Sequence, residues 1–454
     1  MESNRDKIIF SIIVLSCFII AHSGAQTTQK EKDRIESLPG QPEVKFNQYG
    51  GYITVNQKAG KAFYYYFVEA QPSIKTLPLL LWFNGGPGCS SIGYGAMEEL
   101  GPFRVNSDGK TLYQNNFAWN NAANVLFLES PAGVGFSYSN TTDDGGDDKT
   151  ANDNYVFLLN WLKRFPEYSN RGFYISGESY AGHYVTQLTN IILRNNYNPQ
   201  RTTTINLKGI IIGNAWINYE SDSRGVYEYF KNHDLVSEYI ADQVLEYCDF
   251  SPNANKQSDK CIKASTQAYK DIGNIDTYNI YAPLCSNPTL TDEPNNVSAM
   301  SFDPCSDYYV LTYLNRPEVQ KALHANITNI PYAWQFCNND LFGKWHDGPD
   351  SVLPLLKDIM AKGLRVWLYS GDVDGNVPVT STQKTIKQMN LPVETPWHPW
   401  YHDGEVGGYT LVYKGNLTFA TVRGAGHDVP SYQPKRALSL ITYFINGTQL
   451  PKSP

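Results

Sequence analysis

A serine lies in the hexapeptide Gly177-Glu178-Ser179-Tyr180-Ala181-Gly182, between the apolar run Phe173 to Ile175 and a helix-like stretch from His183 to Leu193. The order reads as strand, sharp turn, helix. Such a turn lifts a hydroxyl clear of a sheet, and the helix N-terminus behind it favours developing negative charge. The chemistry on offer is nucleophilic attack on a carbonyl. A Gly-x-Ser-x-Gly pattern also arises in plain turns, and here the fifth residue is Ala181, so the partners decide. Asp372 follows the β-branched and apolar run Leu364 to Tyr369, in Leu368-Tyr369-Ser370-Gly371-Asp372. His427 follows another such run, Leu417 to Val422, in Gly424-Ala425-Gly426-His427-Asp428-Val429-Pro430. An imidazole between a hydroxyl and a carboxylate takes the serine proton while the acid fixes its tautomer. An aspartate after a strand commonly caps a helix, and a lone histidine is commonly structural. Serine, acid and histidine in that order, each at a strand end, make coincidence a poor explanation.

The elements that must position these groups are legible as alternation. Apolar β-type runs at Leu79 to Phe83, Val125 to Leu128, Phe173 to Ile175, Leu207 to Ile212, Arg365 to Tyr369 and Leu417 to Val422 alternate with helical stretches such as Ala151 to Arg164. This predicts a mostly parallel sheet flanked by helices, the α/β-hydrolase fold. From about 215 to 345 the rhythm gives way to polar, tyrosine-rich, cysteine-bearing sequence, read as a disulfide-bearing cap inserted into one domain spanning 26–454. The 454 residues are enough for such a domain.

Several further motifs carry a family resemblance. They are Trp82-Phe83-Asn84-Gly85-Gly86-Pro87-Gly88-Cys89-Ser90-Ser91, Glu129-Ser130-Pro131-Ala132-Gly133-Val134-Gly135-Phe136-Ser137-Tyr138 and Arg316-Pro317-Glu318-Val319-Gln320-Lys321-Ala322-Leu323-His324, with the serine, aspartate and histidine segments. Together, from about Leu38 to the C-terminus, the chain resembles the serine carboxypeptidases, and within them the plant branch similar to carboxypeptidase II. The resemblance implies Ser179, Asp372 and His427 as the triad and the backbone amides of Gly86 and Tyr180 as the oxyanion hole. It implies Asn84, Gly85, Glu178 and Glu99, with Glu98 as the alternative, as the site for a substrate's terminal carboxylate. Carboxyls facing an anion cannot all stay ionised, so a shared proton and an acidic working range are expected. Peptide or protein C-termini would be the substrate class, with no cofactor and no metal. Asp428 and Asp307 are candidates for attracting a basic side chain on the acyl side.

The same scaffold in plants carries acyltransferases and a hydroxynitrile lyase, so the fold alone does not select a reaction. The Gly-Glu-Ser-Tyr-Ala form argues against the transferase, whose branch carries Gly-Asp-Ser-Tyr-Ser. The complete triad and carboxylate set argue against the lyase. An inactive secreted binding homologue would be expected to have lost a triad residue. Thr186 stands where relatives commonly have proline, which bears only on local helix geometry.

Composition narrows the setting. The net charge of −7, with no lysine and arginine run, excludes a nucleic-acid binder. Arg5 and Lys7 before the apolar run Ile8 to Ile20, then Ser23-Gly24-Ala25, read as a signal peptide over 1–25. No later run is long enough for a membrane span. The mature protein is expected in the secretory pathway, vacuolar or extracellular, with a homodimer left open. Glycosylation sequons at Asn140, Asn296, Asn326, Asn416 and Asn446 fit that route. Beyond Cys17 in the leader, the cysteines form an even set whose spacing leaves the pairing open. The resemblance implies Cys89 with Cys337, Cys248 with Cys261, and Cys285 with Cys305. His398 and His402 lack any further ligand signature and read as a structural loop. The short 286–304 segment lacks basic residues, so a single uncut chain is expected.

Overall fold

Continuous apolar runs require burial on both faces, and the structure provides it. The computed structural model describes residues 29–71, 76–141, 145–199, 203–251, 254, 256–293 and 302–454. The signal-peptide reading of 1–25 and the Asn296 sequon fall outside these residues. An 11-stranded sheet runs in the spatial order Arg34–Ile35, Gln48–Asn56, Lys61–Val68, Asn124–Leu128, Leu79–Phe83, Phe173–Glu178, Leu207–Gly213, Arg365–Gly371, Leu417–Val422, Glu405–Tyr413 and Val393–His402. From Asn124–Leu128 to Leu417–Val422 neighbouring strands are parallel, and both flanks are antiparallel hairpins.

The pleat sends alternate residues to opposite sides. Leu79, Leu81 and Phe83 join a core with Val185, Leu188 and Trp161, from the helices Ala181–Asn196 and Asp147–Arg164. Leu80 and Trp82 join the other, with Met97, Val310 and Leu440. The molecule is therefore a sheet between two helical layers, the α/β-hydrolase arrangement.

Between Gly213 and Arg365 the described residues add helices and no strand to this sheet. Helices Tyr219–Asn232, Glu238–Tyr247 and Asp259–Ile272 enclose a small core of their own around Tyr229, Val244 and Ala268. Disulfides join Cys248 to Cys261, Cys285 to Cys305, and Cys89 to Cys337 across 248 residues.

His398 and His402 lie on the edge strand Val393–His402 rather than in the expected loop. Trp397, Trp400 and Tyr401 are strong strand formers there, and Trp400 is fully buried. Among the described residues no helix is long and apolar enough to cross a membrane. Asn140, Asn416 and Asn446 are exposed. The Asn326 amide is engaged, its Nδ2 donating to Gln320 (2.9 Å) and its Oδ1 accepting from the Ile330 amide (2.8 Å).

Candidate active site

Three parallel strands end along one edge of the sheet, and each delivers one reactive group. Ser179 follows Phe173–Glu178 and adopts φ 60°, a left-handed conformation that costs a non-glycine residue energy. The turn is over-determined. The Ser179 amide donates to the Gly213 carbonyl (3.0 Å), and its own carbonyl accepts from the amides of Trp216 (3.0 Å) and Gly182 (2.9 Å). The helix Ala181–Asn196 starts immediately behind it.

His427 follows Leu417–Val422 and is 2 % exposed. Its Nδ1 lies 2.8 Å from Oδ2 of Asp374, so the acid that meets the imidazole is not Asp372. Asp372 is the first residue beyond the strand Arg365–Gly371, and its half-buried carboxylate turns away to accept the Gly424 amide (2.6 Å). Two residues on, the chain has rounded the turn. Asp374 is fully buried and accepts Asn214 Nδ2 (2.5 Å) and the backbone amides of Asn376 (2.7 Å) and Val377 (3.2 Å). The sequence held a signal for this: an aspartate that bonds the amide two residues ahead makes an Asx turn, and Asp374-Gly375-Asn376 has that composition. Burial opposes a charge on His427, but the Asp374 carboxylate, joined by Asp428 and Glu99, more than offsets it and raises the imidazole pKa.

The loop after strand Leu79–Phe83 brings backbone against the serine. A Cβ on Gly85 would sit 2.5 Å from the Tyr180 nitrogen and 2.9 Å from Ser179 Cβ, so only glycine permits the approach. Gly86 has φ 111°, again glycine's province. The loop is stitched to the insertion by Cys89–Cys337 and by two backbone bonds, Ser90 N to Phe336 O (2.7 Å) and Asn338 N to Gly88 O (2.9 Å). Gly86, Ser179 and Tyr180 line one cavity of about 630 Å³ with Trp216, Tyr278 and Trp345.

Asn84 organises the opposite side. Trp82 Nε1 (2.7 Å) and the Gly95 amide (3.1 Å) donate to its Oδ1, which fixes the amide, and its Nδ2 donates to Glu99 (2.8 Å) and to Glu178 (2.8 Å). The carboxyl at this position is therefore that of Glu99, at the end of the π-helical segment Ser91–Glu99. Glu98 points elsewhere. Glu99, Glu178 and Asp428 lie within 4.8 Å of one another, and among the described residues they are the only such group that could hold a cation. Burial first, and then repulsion from neighbouring carboxyls, pushes Glu99 up to about 8 and Glu178 well above the ordinary carboxylate range, while burial, with Asp307 and Asp374 opposing the pull of His427, pushes Asp428 up to about 6.

Next to these acids is a second cavity of about 620 Å³. Glu98, Asp276, Asp303, Asp307 and Asp428 line it, with Arg104 as its one basic residue. Tyr278 belongs to both cavities and stacks edge-on against His427 at 4.7 Å. Asp428 and Asp307 thus lie on the side of the carboxylate trio, not in the cavity of Ser179 and Gly86.

One group escaped sequence reasoning. Asp147, in the first turn of helix Asp147–Arg164, is fully buried and gathers donors from everything around Tyr180: the Tyr180 hydroxyl (2.9 Å), Trp345 Nε1 (2.7 Å), His183 Nδ1 (3.0 Å) and Gln187 Nε2 (2.6 Å). Burial alone would raise its pKa, but these donors lower it. The carboxylate anchors the residue after the serine to both a core helix and the insertion. Spacing could have hinted at it, since His183 and Gln187 lie four apart on one face of the helix Ala181–Asn196.

The buried acids have a consequence for stability. Burial pushes Glu129 up to about 7 and Asp222 up to about 6, in addition to the Glu99 and Asp428 shifts above. Between the ordinary value of 4.5 for a glutamate and about 8, the folded chain holds more protons than the unfolded one. Stability therefore falls as pH rises through that window. Asp147 works oppositely, but its window lies below the ordinary 3.8. Thermal unfolding should show a Tm higher at pH 5 than at pH 8 by about 5 °C or more. A Tm that rises toward pH 8 would contradict these shifts.

Comparison with known proteins agrees with this geometry. The family model described as serine carboxypeptidase matches residues 39–447. Serine carboxypeptidase-like 40 of Arabidopsis thaliana is 59% identical over 93% of this chain and 84% of its own. Serine carboxypeptidase 24 of the same plant is 48% identical over 99% of both. Among solved structures, Kex1(delta)p, a prohormone-processing carboxypeptidase from Saccharomyces cerevisiae, shares the fold with a TM-score of 0.77. The match covers 92% of this chain and 96% of that one, at 24% identity.

Proposed function

The chain belongs to the serine carboxypeptidase family, and from that membership we propose that it hydrolyses peptides one residue at a time from the C-terminal end, through an acyl-enzyme on Ser179. The observation that carries this reading is the pairing of two buried glutamates, Glu99 and Glu178, on the single Asn84 amide, with Glu178 directly before the serine. A buried carboxyl that keeps its proton is a hydrogen-bond donor for a free carboxylate.

Ser179 attacks the last peptide carbonyl while His427 takes its proton, and Asp374 steadies the imidazolium. Charge on the carbonyl oxygen falls to the amides of Gly86 and Tyr180. Losing one such donor typically costs about two to three orders of magnitude. His427 passes the proton to the leaving amine, and water then resolves the ester. Asn84, the Gly85 amide and the protonated member of the Glu99 and Glu178 pair hold the terminal carboxylate. This orients the terminal side chain toward the acidic cavity, so the preference for a basic residue expected from Asp428 and Asp307 moves from the penultimate to the terminal position. The leader-like 1–25 segment, the exposed sequons and the acid-adapted carboxyls support a route through the secretory pathway to the vacuole or the cell exterior.

A blocked peptide with a free C-terminus should be cleaved with kcat/KM at least about a hundredfold above its C-terminal amide. Terminal Arg should be released faster than terminal Leu at pH 5, and Ser179→Ala should abolish both activities. Equal rates on acid and amide would remove the carboxypeptidase reading. Turnover of a glucose ester or a cyanohydrin in place of the peptide would transfer the site to acyl transfer or lysis.

A further inference from the structure

The cavity of Ser179 continues outward. Its walls Trp216, Tyr219 and Asn376 also line a second depression of about 450 Å³, formed by Tyr227, Phe250 and Tyr269 of the insertion. The depression abuts Gly375, next to Asp374, and its far wall is held by the Cys248–Cys261 disulfide. Rings dominate its surface. Tyr227 packs edge-on or tilted against Phe230, Phe250 and Tyr269, while Tyr269 is 64% exposed and Tyr219 49%. Asp249, Gln257 and Ser265 supply a polar edge. A ring presented this openly beside a reaction cavity has an apolar face available to a guest.

Direction decides which guest. In the proposed reaction the terminal residue faces Glu99, Glu178 and the acidic cavity, so the penultimate residue fills the Ser179 cavity. Everything upstream must leave by its other mouth, past Trp216 and Tyr219. An extended chain advances about 3.3 Å per residue with side chains alternating in direction, so the next residues meet the aromatic depression. We propose that this depression, contiguous with the Ser179 cavity, is a subsite for an aromatic or bulky apolar side chain upstream of the penultimate residue of a peptide substrate. It rests on the peptidase reading, and it makes the enzyme a reader of tails several residues long.

The test uses N-blocked peptides sharing their last two residues, with either Phe or Gly at the third and fourth positions from the C-terminus. The wild-type chain should prefer Phe by about tenfold in kcat/KM, expressed in KM. In Tyr269→Ala the Phe-to-Gly ratio should fall to near one. Tyr239→Ala, an exposed ring on the helix Glu238–Tyr247 outside the depression, should keep it. Each ratio is taken within one protein, so a loss of folded enzyme cancels. Calorimetric binding of the same peptides to Ser179→Ala reads the subsite without turnover. Phe-dependent binding without wild-type hydrolysis would sink the peptidase reading and leave the subsite standing. Hydrolysis with no Phe preference, or a preference that survives Tyr269→Ala, would overturn the subsite.

Discussion

Replacing Asp374 by asparagine should lower kcat for peptide hydrolysis by about four orders of magnitude, whereas the same change at Asp372 should cost about threefold at most. Asp374 Oδ2 faces His427 Nδ1 at 2.8 Å, so the carboxylate holds the proton on Nδ1 and leaves Nε2 free to accept from serine. An asparagine can present its NH2 instead, which favours the opposite tautomer, with a protonated Nε2 that cannot act as base. It also removes the negative charge that stabilises the imidazolium. Asp372 accepts only a loop amide, Gly424 N, at the partly exposed rim. Steady-state kinetics on both variants, with circular dichroism to confirm folding, separates them. A crippled Asp372→Asn beside a near-normal Asp374→Asn would overturn the assignment.

Moving from pH 5 to pH 9 should raise KM for a peptide with a free terminal carboxylate by about tenfold. The sign follows from which form binds. At pH 5 the buried Glu99 and Glu178 pair keeps a proton and can donate it to the substrate. As pH climbs through the Glu99 value of about 8 that proton is lost, and buried anions then face an anion. The histidine shares in this coupling: Glu99 and Asp428 help raise its pKa, so their protonation releases the imidazole toward its neutral, basic form. Acidic conditions thus keep the carboxylate site competent while easing the charge on the base. In Glu178→Gln combined with Glu99→Gln, neutral amides donate at every pH, and the KM profile should flatten. A double variant that still weakens with pH as the wild type does would place the titrating group elsewhere.

What was legible in the sequence followed burial. The strand Leu79–Phe83 announces itself as an unbroken apolar run because both its faces are covered, and Leu417–Val422 by its mix of apolar and β-branched residues. The edge hairpins went unseen. Gln48–Asn56 mixes glycine, tyrosine and polar residues and exposes Thr54 and Asn56 at its end, and Val393–His402 contains two prolines that an outermost strand tolerates. The serine turn was readable because its glycines and its following helix are local. The acid was not, because Asp372 and Asp374 differ only in how far the turn has rotated, which depends on bonds from Asn214, a residue 160 positions earlier. Asp147 was hidden for the same reason. Its partners Tyr180, His183, Gln187 and Trp345 come from two remote stretches, and nothing near it in the chain foretells their meeting.

The stitch between the glycine loop and Cys337 also orders events in time. A ribosome that has produced the serine has made less than half of the chain, and the loop bearing Gly86 has nothing to clasp until residues 336–338 emerge. Asp374 and His427 come later still. A nascent chain therefore cannot bring the serine, the glycine loop, the aspartate and the histidine together until synthesis is nearly complete and the crosslink can form.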